Sequence, residues 1–554
     1  MPQTYQERMS VNLRPPICRS GKRWEEMVPM RDGVKLHTIF WMPDTDGPWP
    51  VLFSRTPYPK NQPIYEYQGK IFSERGYGFI YQYCRGTGAS EGEWAPFENE
   101  RLDGVDALQW LQQQDYIQSI GLYGFSYVAY TQWMVLDQLP PKVKTAYLVH
   151  FGTDRFRQMY ANGLFRHDIY TPWAKDNCGA DVIPPYEAAL EAGLYKPHLE
   201  ADRAVWNIDL PWYREWQTHP DYDSSFWKDS FWEELKAIPG KIQVPVYLGC
   251  GWYDHHFGGM MEGYRGLSVF AKEHSRLVMG PWVHHKQPCI DREDTDNAFA
   301  PGIHGYEGAL CWMDRLLKNG ELPEQEVMAY GVGQGWRELP HWPMKSQTRR
   351  YYFSSDGLTE KSDEEISALE YTYDPGEIIE TRGAECMCYA PLAWRGSRLQ
   401  PEPGTRTDQI SLISEPLQEK MTLSGSVTVH LRVSTDAEDT AFVVRLMEIT
   451  PEGKSYNIRT GATTLRYRND SDKAQNYTPN QQVTCELKLW DILWQLPEGA
   501  RIRIDIASSS FPEYNIHLNT AESWAEQKDA VIARQKVWIG GDSGSYIDLP
   551  LEAL

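Results

Sequence analysis

The sequence predicts an α/β domain built on a parallel sheet, interrupted by a helical insertion and followed by an all-β domain. Three observations predict it. Apolar runs of strand length alternate with a helical pattern up to residue 153, the texture turns helical and proline-interrupted from Asp154 to Ile238, and beyond Arg349 the hydrophobic period switches to two. At 554 residues the chain exceeds one hydrophobic core, and roughly three to four units of about 100–200 residues are expected. The changes of texture divide it into 1–153, 154–240, 241–348 and 349–554.

"MVPMRDGVKLHTIFWMP" reads as two strands joined by a turn at Arg31-Asp32-Gly33, and "WPVLFSRTPY" as a third strand ending at a proline. "GYGFIYQYCRGTGASEGEW" is an apolar strand opening into a glycine-rich loop. "ERLDGVDALQWLQQQ" places Leu102, Val105, Leu108 and Leu111 at helical spacing, and "SIGLYGF" is a further strand running up to Ser126. In the insertion, "FRQMYANGLFRHDIYTPW", "YEAALEAGLY" and "SFWEELKAI" read as short helices, with no strand among them. Strands return with "VPVYLGCGWYD" and "SRLVMGPWVHH", and "GALCWMDRLLKN" is helical. In the last segment Val427, Val429, Leu431 and Val433 alternate with polar neighbours, as do Ile502, Ile504 and Ile506 with Arg501, Arg503 and Asp505. Turns such as "TPEGK" and "LPEGA" separate these runs, so a sandwich or jelly roll is expected.

A net charge of −21 without a basic patch argues against nucleic acid and anionic membranes as partners. No apolar run reaches the roughly 20 residues that span a bilayer, and the N-terminus has no signal-peptide core. The nine cysteines are odd in number and scattered, and Cys386 and Cys388 are one residue apart rather than the two of a zinc or redox motif. Reduced thiols in a cytoplasmic protein are expected. The sequence leaves the oligomeric state open, a homo-oligomer included.

"SIGLYGFSYVAYTQW" sets Ser126 between a strand and a helical run. A nucleophilic serine needs such an elbow, with small neighbours and strained dihedrals that expose its hydroxyl. Gly124 fits, but the second glycine of G-x-S-x-G is Val128, with Ala129 beyond it. A serine also needs a general base and an acid that orients it, in the order serine, acid, histidine at successive strand ends. "VPVYLGCGWYD" ends at Asp254, and "SRLVMGPWVHH" ends at His284 and His285.

Together "GFSYVAYTQW", "GWYD", "GPWVH", "RTPY" and "RGTGASEGEW" resemble the CocE/NonD hydrolases, relatives of the X-Pro dipeptidyl-peptidases and α-amino-acid ester hydrolases. "STDAEDTAFVVRLMEITPEGKSYNI" and "GARIRIDIASSSFPEYNIHLNT" are similar to that family's jelly-roll domain, so the resemblance extends from about residue 26 to the end. It implies an α/β-hydrolase fold with a helical cap, and a serine esterase acting on a small-molecule ester or amide without metal or cofactor. Its motifs imply Ser126 as nucleophile, Asp254 as acid and His284 as base, with His285 an ordinary neighbour. They imply an oxyanion hole made of the Tyr127 N–H and the Tyr58 hydroxyl.

The family usually has glycine where this chain has Ala129, which adds a methyl at a crowded point. The α-amino-acid ester hydrolases hold an ammonium group with acids just past the triad aspartate, where His255 and His256 stand here. X-Pro peptidases have a large N-terminal region, whereas the first strand here begins almost at once. An esterase or simple amidase is therefore expected ahead of a dipeptidyl-peptidase or acylase. Phe165, Tyr170 and Trp173 in the cap, with Trp282 near the base, are candidates to line an apolar acyl or aryl pocket, with core packing the equal alternative. Two further readings compete: a metal centre from "DHH" at 254–256 with "HH" at 284–285, weakened because adjacent histidines on extended backbone point to opposite faces, and an inactive scaffold with a lectin-like jelly roll.

Overall fold

The computed structural model describes residues 4–179, 185–293, 298–385, 389, 391 and 394–553; Cys386 and Cys388 lie outside them. A short helix α1 (Tyr5–Met9) precedes the strands β1 (Ser20–Pro29), β2 (Lys35–Pro43), β3 (Trp49–Thr56), β4 (Gly78–Tyr83), β5 (Ile117–Phe125) and β6 (Val143–Val149). Helices α2 (Gln62–Ser73), α3 (Glu100–Gln112) and α4 (Tyr127–Trp133) connect them. After the insertion come β9 (Val246–Gly251), β10 (Arg276–Gly280), the hairpin β11 (Trp282–Val283) and β12 (Gln287–Pro288), then β13 (Glu326–Gly331) and β14 (Gly335–Leu339).

Ten of these strands form one sheet in the order β1-β2-β4-β3-β5-β6-β9-β10-β13-β14. It is mixed rather than wholly parallel: the run from β4 to β13 is parallel, while β1, β2 and β14 are antiparallel edges. The parallel strands are buried on both faces, as crossover helices require.

Two sequence expectations need correcting. Helix α3 forms, but Leu102 is 57% exposed, while Glu100 and Asp103 are buried. The face turned inward is set by charge: Glu100 lies 3.1 Å from buried Arg55, and Asp103 holds Arg85 through two hydrogen bonds. The insertion, helical as expected in α5 (Arg155–Met159), α6 (His167–Asp176) and the helices up to Ala237, also contains a small ladder of β7 (Tyr160–Ala161) with β8 (Leu164–Phe165). Its turn is Asn162-Gly163, both at positive φ, so the Asn-Gly hairpin signal was present in "YANGLF".

From Ser346 onward a nine-stranded and a four-stranded sheet make the β-sandwich. Val427, Val429, Leu431 and Val433 all face its core. The strand Arg501–Ala507 differs from the expected alternation, because Arg503 and Asp505 are buried as well. They pair at 2.7 Å, and Arg503 also donates to the Pro401 carbonyl of a covering segment.

Candidate active site

β5 runs straight into α4 through Ser126, whose φ of 56° and ψ of −130° are strained for a residue with a side chain. The Ser126 N–H donates to the Val149 carbonyl at 3.0 Å, which ties the turn to the next strand. The strand end and the helix approach so closely that a Cβ on Gly124 would lie 2.5 Å from Ala129 Cα and 2.5 Å from the Val128 carbonyl oxygen. The small residue this elbow demands is therefore Gly124; Val128 and Ala129 are simply buried in α4.

Asp254 follows β9 and His284 follows β11, both fully withdrawn from solvent. The Ser126 hydroxyl donates to His284 Nε2 at 3.0 Å, and His284 Nδ1–H donates to Asp254 Oδ2 at 2.7 Å. Asp254 Oδ1 accepts the His256 N–H at 2.7 Å, and Oδ2 accepts a second imidazole, His150 Nδ1–H, at 2.6 Å. Burial alone would raise the Asp254 carboxyl, but His284 and His150 hold it well below the usual carboxylate range. His285 turns aside at a φ of 62° and packs its ring between Tyr5 and Phe125. Geometry thus distinguishes the two adjacent histidines.

A narrow cleft opens at Ser126, with Tyr58 and Tyr127 on its wall and a volume of about 20 Å³, room for little more than one water molecule. Tyr58 Oη accepts from Trp173 Nε1–H at 3.0 Å. The Tyr127 N–H is the first of α4, so the helix itself offers it no acceptor. Its side chain points elsewhere: the phenol donates to Glu100 and accepts the Phe97 N–H. Tyr170 and Trp173 line the cleft; Phe165 and Trp282 do not. Phe165 stacks on Trp524, and Trp282 packs against His304 and Trp336.

His255 and His256 also line the cleft, both held well below the usual histidine range by burial. The group whose ligand atoms converge keeps Asp254 and His284 of the set read from sequence, leaves out His255, His256 and His285, and adds His150, all within 4.8 Å of one another. Here those atoms are joined as two N–H···O bonds to one carboxylate oxygen. Neither pair of adjacent histidines lies on extended backbone, since His256 has φ −90° and ψ −2° and His285 is left-handed. Sequence reasoning missed His150, Arg155 and Phe97. His150 had a signal, its place just past β6 at the carboxyl edge of the sheet, where ligands of parallel sheets gather.

The mixed sheet with its strand-to-helix serine turn, a helical insertion over the carboxyl edge and a β-sandwich behind define an α/β-hydrolase with a C-terminal jelly roll. The family model described as X-Pro dipeptidyl-peptidase (S15 family) matches residues 32–286, and that of the X-Pro dipeptidyl-peptidase C-terminal non-catalytic domain matches residues 320–547. The chain belongs to the CocE/NonD family of serine-type hydrolases. It is 26% identical to the cocaine esterase of Rhodococcus sp. (strain MB1 Bresler) over 95% of its own length and 97% of the relative's. An aminopeptidase from the marine sediment archaeon Thaumarchaeota archaeon shares its fold with a TM-score of 0.83 at 23% identity, covering 96% of each chain. An α-amino acid ester hydrolase does so with a TM-score of 0.80 at 23% identity, covering 97% of this chain and 98% of that one. Among the described residues no helix is long and apolar enough to cross a membrane.

Proposed function

We propose that this protein hydrolyses a small carboxylic ester, or a simple amide, by two-step acyl transfer through Ser126. The observation that carries the reading is the chain of hydrogen bonds from Ser126 Oγ through His284 to Asp254, at 3.0 and 2.7 Å. In the first step Ser126 Oγ attacks the carbonyl carbon while His284 Nε2 takes its proton, and Asp254 steadies the imidazolium. The tetrahedral oxyanion accepts from the Tyr127 N–H and the Tyr58 hydroxyl, which already accepts from Trp173 and is the stronger donor for it. His284 then protonates the leaving group. Water attacks the acyl-enzyme with His284 again as base, releasing the acid and restoring Ser126.

An aminopeptidase or amino-acid ester hydrolase would need an anion near Ser126 for the substrate's ammonium group. No carboxylate lines the cleft among the described residues, which favours the esterase reading. The seven described cysteines are free thiols, and action in the reducing cytoplasm is part of the proposal. With a short-chain p-nitrophenyl ester, wild type should give a stoichiometric burst of p-nitrophenolate. Turnover in Ser126→Ala should fall by about 10⁴–10⁶. Undiminished turnover in that variant would refute the proposal.

A further inference from the structure

Six arginines are buried among the described residues: Arg55, Arg75, Arg155, Arg166, Arg459 and Arg503. Five of them lie within ion-pair distance of a carboxylate, at 3.1 Å for Arg55, 3.8 Å for Arg75, 3.4 Å for Arg166, 2.9 Å for Arg459 and 2.7 Å for Arg503. Arg155, 3% exposed, has no carboxylate at that distance among the described residues. Its Nη1 donates to Tyr170 Oη at 3.1 Å, and its Nε–H has no hydrogen-bond partner. The guanidinium carbon lies 4.5 Å from the ring centre of Phe97 and 4.3 Å from that of Tyr170, with Trp216 and Trp232 at 5.5 and 5.6 Å.

Aromatic faces attract a cation and offset part of its desolvation. They do not supply the opposite charge that a buried ion otherwise requires, and arginine does not shed its proton at physiological pH. The missing anion has a place to come from, because Arg155 lines the cleft that opens at Ser126. Among the described residues no Asp or Glu lines that cleft, and burial disfavours the charged form of His255 and His256, so the formal charge these residues bring to it is the one on Arg155. A leaving group must face His284 to receive its proton, and Ser126 with the proposed oxyanion donors Tyr58 and Tyr127 lines the cleft. With the leaving group on the side of His284, the acyl group takes the cleft.

We propose that Arg155 is a specificity residue that binds a carboxylate on the acyl part of the substrate, so that the enzyme prefers half-esters or half-amides of small dicarboxylic acids. This rests on the hydrolase reading of Ser126. A planar fork of N–H donors suits a carboxylate, which would complete an ion pair of the kind the other five arginines already have. With about 20 Å³ at Ser126, the side chains of Tyr170 and Trp173 have to give way to any acyl group, charged or neutral.

The test compares p-nitrophenyl hydrogen adipate with its neutral near-isostere, p-nitrophenyl adipamate. Adipate is chosen because half-esters of shorter diacids cyclise unaided. Wild type should favour the anionic ester in kcat/KM by at least about tenfold. That ratio should fall by about 30-fold or more in Arg155→Met and by less in Arg155→Lys. Free adipate should inhibit wild type competitively and adipamide should not, which keeps the proposal testable if Arg155→Met does not fold. A wild-type ratio of one or below, or a ratio unchanged in folded Arg155→Met, would overturn the assignment of Arg155 while leaving the hydrolase reading intact. Turnover of neither ester, or turnover that survives Ser126→Ala, would overturn the hydrolase reading and this proposal with it.

Discussion

Asp254 Oδ2 accepts from two imidazoles at once, His284 at 2.7 Å and His150 at 2.6 Å. The second contact holds the carboxylate in the plane from which it orients His284, so His150 is a positioning residue in the proposed mechanism. His150→Ala should lower kcat by about 10- to 100-fold with KM changed less than about threefold. Asn tolerates the left-handed φ of 58° at this position and can place an N–H donor near the lost one. His150→Asn should therefore recover most of kcat, whereas a merely space-filling role would predict no such rescue. Neighbouring His285 shows how little separates a ring that meets Asp254 from one that does not. A single left-handed residue sends it between Tyr5 and Phe125 instead.

The element on which the proposed chemistry depends is the turn from β5 into α4. Its strain at Ser126 persists because the Val149 carbonyl holds the Ser126 N–H and the helix packs directly on the strand end. A methyl at Gly124 meets backbone atoms 2.5 Å away, and backbone cannot rotate out of the way. Gly124→Ala should displace the start of α4, and with it the Tyr127 N–H, lowering kcat/KM by about 10²-fold or more. Steady-state kinetics on the variant that retains native circular dichroism checks this. Strands β1 to β5 were legible from apolar runs and turn residues, because those signals are local, whereas β6 in "VKTAYLV" was not recognised. Helix α2 was not recognised in "QPIYEYQGKIFS", and the inward face of α3 was assigned to Leu102 instead of Glu100 and Asp103. Hydrophobic periodicity has no term for a carboxylate drawn inward by an arginine on another strand.

Over the whole molecule, the β-sandwich supports the loop bearing Asp254. Tyr253 donates to the carbonyls of Asn457 and Ile458, and Arg459 donates to the carbonyl of Trp252, all from or to the strand Ser455–Thr464. A second contact joins Arg292, which follows β12, to Glu448 of the sandwich at 3.0 Å, where Trp494 Nε1–H also donates to the carboxylate. Burial raises the Glu448 carboxyl to about 7 despite the attraction of Arg292. A raised native pKa means that the native state holds the proton longer than the unfolded chain does. The contribution is therefore fully present below the unfolded value near 4.5 and lost as pH rises through about 7. A shift of this size is worth at most about 3 kcal/mol. In scanning calorimetry Glu448→Gln should reduce the fall in wild-type Tm between pH 5 and 8; an unchanged fall would refute the assignment.

What the sequence determined by itself is the α/β class with a following all-β part, most of the strands of the first sheet, and the strand-end positions of Ser126, Asp254 and His284. These follow from patterns that neighbouring residues write along the chain, since a parallel sheet presents successive strand ends at one edge whatever lies between them. Only the tertiary structure decided which of two adjacent histidines meets Asp254, that His150 meets it too, and that Tyr170 and Trp173 but not Phe165 or Trp282 reach the cleft. It also decided which buried arginine lacks an anion among the described residues. Arg155 and Arg459 are alike as letters, but Arg459 finds Glu385 across 74 positions, and Arg155 faces only aromatic rings and the cleft. Partnership between charges distant in the chain is created by folding, so no local pattern can announce that one of them has been left without a partner.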